Sequence, residues 1–163
     1  MKTISKLAAL VLICIFSFVT QLQAQMDHMP AGHIMVMPDD IVWADGPASL
    51  PPGVKSSVIE GDPKAAGLFT MRLSLPAKYR IMPHSHPAME HVTVIKGSFY
   101  MGVGEKFNEV AGRMIPKGGF AVMNTGTKHF AFTKKKAIIQ LHGMGPWAIN
   151  YVNAADDPRN KKQ

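Results

Sequence analysis

Residues 83–97 read PHSHPAMEHVTVIKG, and residues 118–133 read GGFAVMNTGTKHFAFT. In the first stretch His84 and His86 are two apart, so an extended backbone sends both imidazoles from one face, with Cα atoms about 6.6 Å apart. That spacing lets two ring nitrogens converge on one ion at about 2.1 Å each. Pro83 and Pro87 hold the flanking backbone extended. Glu90 follows a three-residue bend that returns a carboxylate to the same point, and Gly97 permits a tight turn into the next run. In the second stretch Thr125-Gly126 supplies a turn that hands His129 to a new strand.

Outward from these segments the chain has one texture. Leu68–Leu75, Glu90–Ile95, Ser98–Val103, Phe120–Met123, Lys128–Thr133, Ala137–Leu141 and Ala148–Val152 are short apolar or alternating runs, separated by Gly, Pro, Asn and Lys. Each suits a strand, and none carries a useful 3.6-residue period. Many short strands with turns between them predict an all-β sandwich or barrel. Residues 25–45 form a lead-in rich in Met and His, the core domain is expected over 46–155, and 156–163 read as a polar, frayed tail.

The pattern HxHxxxE, six residues and Gly resembles the first motif of the cupin superfamily. Gly118, five residues, Asn124-Thr125-Gly126, two residues and His129 resemble the second. More loosely, IEGDPKAAGLF before the motifs and QLHGMGPWAINYVNAADDPR after them are similar to small single-domain cupins related to the sensor domain of ChrR-type anti-sigma factors. The resemblance implies a double-stranded β-helix, a jelly-roll-like barrel, with a metal held by His84, His86, Glu90 and His129. It departs from the motifs at Lys78, where Gly is usual, at Asn124, where Pro is usual, and at Thr133, where Asn is usual.

Three neutral imidazoles and one carboxylate leave a divalent ion with net charge +1 and open positions, an arrangement for catalysis or ligand capture rather than a closed structural site. The set suits Fe, Mn, Ni, Cu, Co or Zn, one ion per chain. Gln140 and His142 share one face of a late strand; if that face is interior they contact substrate or metal-bound water. Arg72, projecting inward from Leu68–Leu75, would bind an anionic ligand. His91 follows Glu90 and points to the opposite face. Met82, Met89, Met101 and Met123 read as core filling. The expected function is a metal-dependent enzyme of dioxygenase, isomerase, lyase or decarboxylase type acting on a small oxygen-rich or anionic substrate. The alternative is a non-catalytic binding or sensing module. Met26, Met29, Met35 and Met37 with His28 and His33 read as a packing arm, with Cu(I) binding as the competing reading. A homodimer is compatible with either function.

The first 24 residues stand apart from the fold. Lys2 and Lys6 precede the apolar run Leu7–Val19, and Leu22 and Ala24 occupy the −3 and −1 positions of a signal-peptidase site. Such a run rises only about 20 Å as a helix, short of the roughly 30 Å hydrocarbon core, so a cleaved export signal is favoured over an anchor. Removing 24 of the 163 residues removes Cys14, the only cysteine, and lowers the net charge from +7 to +5. Lys134–Lys136 sits between apolar runs, and no basic stripe for nucleic acid emerges. The mature chain is therefore expected in the periplasm or medium. Intact-mass analysis of chain recovered from that compartment should find Gln25 as its first residue; a chain retaining Lys2 and Lys6 contradicts the reading.

Overall fold

The computed structural model describes residues 32–161; the expected leader, residues 25–31 of the arm and Lys162–Gln163 lie outside the described residues. Eleven strands follow in chain order: β1 (Ala44–Asp45), β2 (Lys55–Glu60), β3 (Gly67–Leu75), β4 (Arg80–Ser85), β5 (Glu90–Lys96), β6 (Ser98–Val103), β7 (Arg113–Pro116), β8 (Phe120–Met123), β9 (His129–Phe132), β10 (Ala137–Gly145) and β11 (Asn150–Tyr151). They build a six-stranded sheet, β1-β2-β3-β10-β5-β8, and a five-stranded sheet, β11-β4-β9-β6-β7. Every pairing is antiparallel. This is the jelly-roll cupin architecture, with the two sheets facing each other rather than closed into one continuous barrel.

Period-two alternation decides which side chains meet between the sheets. From the six-stranded sheet, Phe69, Met71, Leu73, Val92, Val94, Ile139 and Leu141 are buried in one cluster. Ile81, Phe99, Met101 and Ala131 of the five-stranded sheet complete it. β9 breaks the alternation because both its faces are covered. Ala131 belongs to that core cluster, while Phe130 and Phe132 lie under Phe107, at ring separations of 5.1 and 5.8 Å. That parity sends His129, two residues before Ala131, into the interior.

β2 and β7 were not legible as strands, and β4 was legible only through the extended reading of its His84 end. β2 reads KSSVIE with no residue fully buried, because one side faces solvent and the other a cavity, so no apolar alternation marks it. Ala148–Val152 was expected as a full strand and contributes only two residues to the sheet. The frayed end is also corrected over 156–161. Arg159 donates to both carboxylate oxygens of Asp157 and to the Ile149 carbonyl, pinning two short 3₁₀ turns to the body of the fold.

Two of the three departures from the motif meet at one turn. Lys78, between β3 and β4, adopts φ +59°, the left-handed conformation that explains why glycine is usual there. Thr133 is buried beside it; its hydroxyl donates to the Pro76 carbonyl at 2.6 Å and accepts from the Tyr79 amide at 3.1 Å. The Thr hydroxyl thus fixes the turn that holds Lys78.

Gly97 joins β5 to β6 at φ +78°, and a Cβ there would meet the Lys136 carbonyl oxygen at 2.6 Å. Replacing Lys78 with Gly should raise the unfolding free energy by roughly 0.5–1 kcal/mol, whereas Gly97→Ala should lower it by about 2 kcal/mol or more. Denaturant titration of both variants checks the pair. A Gly97→Ala protein as stable as the parent contradicts the packing described.

Candidate metal centre

Four polar side chains enter an otherwise apolar interior. His84 lies on β4 directly across from His129 on β9. Glu90 opens β5 in the facing sheet, and His86 sits on the connection between β4 and β5. The Gly126 amide donates to the His86 carbonyl at 3.0 Å, so the turn that delivers His129 also braces the His84–His86 segment. All four side chains are buried, His129 to 1% exposure and Glu90 to 7%.

The hydrogen bonds around this cluster set its chemistry. Nδ1 of His84 donates to the Met82 carbonyl at 2.7 Å, Nδ1 of His86 to the Ala148 carbonyl at 2.7 Å, and Nδ1 of His129 to the Thr127 carbonyl at 2.9 Å. A carbonyl only accepts, so each Nδ1 carries the proton and each neutral ring presents a bare Nε2. The ligating atoms of the three rings lie within 4.8 Å of one another. Glu90 Oε1 is 3.5 Å from His86 Nε2, and its Oε2 is 3.3 Å from His129 Nε2. Donors that share an ion at about 2.1 Å stand roughly 3.0–4.2 Å apart; the Glu90 contacts fall inside that range, and the rings need at most a small inward shift to join them.

Without a cation the arrangement is costly. His86 Nε2 and Glu90 Oε2 are buried with no hydrogen-bond partner. Lone pairs facing lone pairs repel in a low-dielectric interior, and no protein donor among the described residues relieves these two. The three buried histidines can bind a metal ion, and the carbonyl contacts behind them are the supporting bonds that orient metal-ligating imidazoles.

Protonation states agree with this. Burial, with His129 and His86 adding to it, pushes His84 down to about 3, so the ring stays neutral at any ordinary pH. With His84 held neutral and each Nδ1 engaged by a carbonyl, the set is ready for a divalent ion.

A cavity of about 430 Å³ adjoins the four residues. Its wall is apolar, with Met71, Leu73, Ile81, Phe99, Ile139 and Leu141 prominent. Exposed Asp45, Asp62 and Lys64 line it on the solvent side.

The other expected site residues are placed elsewhere. Arg72, Gln140 and His142 lie on the outer face of the six-stranded sheet, and the expectation that they project inward is corrected. β3 turns Met71 and Leu73 inward and β10 turns Ile139 and Leu141 inward, so the intervening residues must point out. Arg72 Nε donates to Gln140 Oε1 at 3.0 Å, and His142 stacks on His91, which faces away from the interior as its position beside Glu90 requires. Burial, then the neighbouring His91, holds His142 below its ordinary value. Met101 fills the core, but Met89 is 48% exposed and fills nothing. Trp147 was missed: its ring stacks on His86 at 4.2 Å with planes 19° apart, and it lines the cavity. Lying beyond both motifs in a stretch with no periodicity, it gave no signal in the sequence.

No protein-family model matches the chain, and a comparison with curated proteins finds no match. Solved structures do match. The polyketide cyclase RemF from Streptomyces resistomycificus superposes with a TM-score of 0.61 at 14% identity, over 78% of this chain and 91% of that one. A putative acetylacetone dioxygenase from Methylibium petroleiphilum gives 0.59 at 18% identity, over 80% and 88%. An RmlC-like cupin from Shewanella frigidimarina gives 0.53 at 12% identity, over 71% and 94%. The chain therefore has the fold of the RmlC-like cupins.

Two outcomes test the centre. Metal content measured on purified protein should fall at least ten-fold in His86→Ala or His129→Ala, with the Glu90→Gln loss smaller because an oxygen donor remains. Acid should also destabilise the metal-free protein. Unfolded His84 takes up a proton near 6.5 while folded His84 resists until about 3. Stability is thus full above about 6.5 and lost as pH falls toward 3, by at most about 1.4 kcal/mol per unit from this group. Denaturation of chelated protein between pH 7 and 4 should show a shallower loss for His84→Gln than for the parent.

Proposed function

We propose that the chain is a metal-dependent cupin enzyme, of the dioxygenase, isomerase, lyase or decarboxylase type, acting on a small oxygen-bearing substrate. The observation that carries this reading is the juxtaposition of a ligand-ready three-His, one-Glu set with a largely apolar cavity, open on its solvent side and large enough for one to two dozen heavy atoms. His84, His86, Glu90 and His129 would hold one divalent transition ion, which supplies electrostatic polarisation of a substrate oxygen.

The chain's own contribution is positional. The apolar wall excludes water and strengthens any oxyanion attraction at the site. The carbonyl acceptors behind the three rings keep every Nε2 aimed at one point. Apart from the ligand set, the titratable cavity residues Asp45, Asp62 and Lys64 stand on the solvent side, so the substrate must bring its own readily lost proton or leaving group. Enolisable 1,3-dicarbonyl compounds meet that requirement, and the acetylacetone dioxygenase and polyketide cyclase likenesses support the same chemical class. The same lack of an acid–base pair favours the second reading, a module that captures such ligands without turning them over. We further propose that the enzyme works outside the cytoplasm, on the strength of the leader-like residues 1–24.

Chain loaded separately with Fe(II), Mn(II), Ni(II), Cu(II) or Zn(II) should be offered 1,3-diketones, dicarboxylates, catechols and uronates. At least one form should consume oxygen, isomerise or decarboxylate a substrate, and Glu90→Gln should reduce that rate. Binding by every form with no turnover moves the assignment to the capture module; no binding at all removes the open site.

A further inference from the structure

The outer face of the six-stranded sheet carries a second group of metal donors, separate from the inner cluster. His142 on β10 pairs directly with His91 on β5. Their rings lie 4.8 Å apart and within 10° of parallel. That separation falls inside the 4.3–5.1 Å range spanned by the three inner histidines. His91 Nδ1 is buried with no hydrogen-bond partner among the described residues, an orphaned ring nitrogen on the outer face.

Two thioethers stand beside this pair. Met144 is two residues beyond His142 on β10 and so shares the histidines' face, and Met89 stands on the bend two residues before His91, just ahead of β5. A Cβ built on Gly143 would come within 2.8 Å of the Met89 carbonyl oxygen, which shows the chain entering β5 running alongside β10 at this point. Met89 and Met144 are 48% and 57% exposed, although neither packs in the core. Phe120 flanks the histidines, 6.0 Å from the His91 ring and 6.4 Å from that of His142.

We propose that Met89, His91, His142 and Met144 form a surface site for monovalent copper. Soft thioether donors select Cu(I), and imidazole is compatible with it. All four donors are neutral, which suits a singly charged ion better than a hard divalent one. The nearest carboxylate along the same row, Glu60, is held by the Thr70 hydroxyl at 3.2 Å. Methionine's flexible chain closes the gap of about 6.6 Å between successive outward positions, and a modest tilt of the partly buried imidazoles brings their nitrogens to the ion. Phe120 keeps one side of the ion dry.

The test uses the full mature chain under anaerobic conditions, with Cu(I) supplied from a bicinchoninate complex and the methionine methyl groups ¹³C-labelled. The methyl resonances of Met89 and Met144 should shift together as one Cu(I) equivalent binds, and should do so equally in a His84→Ala, His129→Ala background. Met89→Leu with Met144→Leu, which keeps volume, should weaken that equivalent at least about ten-fold, and His91→Gln with His142→Gln should abolish it. Unmoved Met89 and Met144 methyls overturn the proposal, including the case in which Met26, Met29, Met35 or Met37 move instead and the N-terminal arm takes the copper. Zn(II) held by these four residues as tightly as Cu(I) also overturns it.

Discussion

Three imidazole rings locked with their protonated Nδ1 against backbone carbonyls impose the constraint on which the interior depends. The Met82, Ala148 and Thr127 carbonyls turn three bare Nε2 atoms toward the Glu90 carboxylate, and among the described residues neither His86 Nε2 nor Glu90 Oε2 finds a partner. A fold does not accumulate four mutually repelling acceptors in its core without a partner for them, since each unpaired buried polar atom costs on the order of 1–3 kcal/mol. The carbonyls come from three separate parts of the chain: β4 itself, the turn before β9, and the segment after the cis Gly145-Pro146 bond. The sandwich is what brings those parts within hydrogen-bond reach.

The cavity follows from the same geometry. Inward positions of β3 and β10 supply Met71, Leu73, Ile139 and Leu141, and the facing sheet adds Ile81 and Phe99, so the wall around the four donors is apolar. An ion placed there carries its charge into low-dielectric surroundings, where it acts on a bound oxygen more strongly than it would in water. Trp147, stacked on His86 and lining the same space, couples the connection between β10 and β11 to the ligand set.

Much of this was legible in the sequence, for physical reasons. The spacing of His84, His86 and Glu90 works only on an extended backbone with a bend, and Gly97 and Gly126 mark the turns that frame the segments. Strands with one buried face, such as β3, announced themselves by alternation. What failed was parity. Nothing in QLH says whether Gln140 and His142 or Leu141 turns inward, and the answer depends on how β10 registers against β3 and β5. β2 and β7 were missed because strands lacking a buried stripe carry no periodic signal. The meaning of Lys78 and Thr133 was equally hidden, because it lies in their contact with one turn and not in either residue alone.

X-ray absorption at the metal edge of protein loaded with one equivalent of Ni(II) tests the central claim most directly. The account predicts a first shell of nitrogen and oxygen alone at about 2.0–2.2 Å, with outer-shell scattering from three imidazoles and no sulfur at about 2.3 Å. A shell containing sulfur, or one with fewer than two imidazoles, would contradict it.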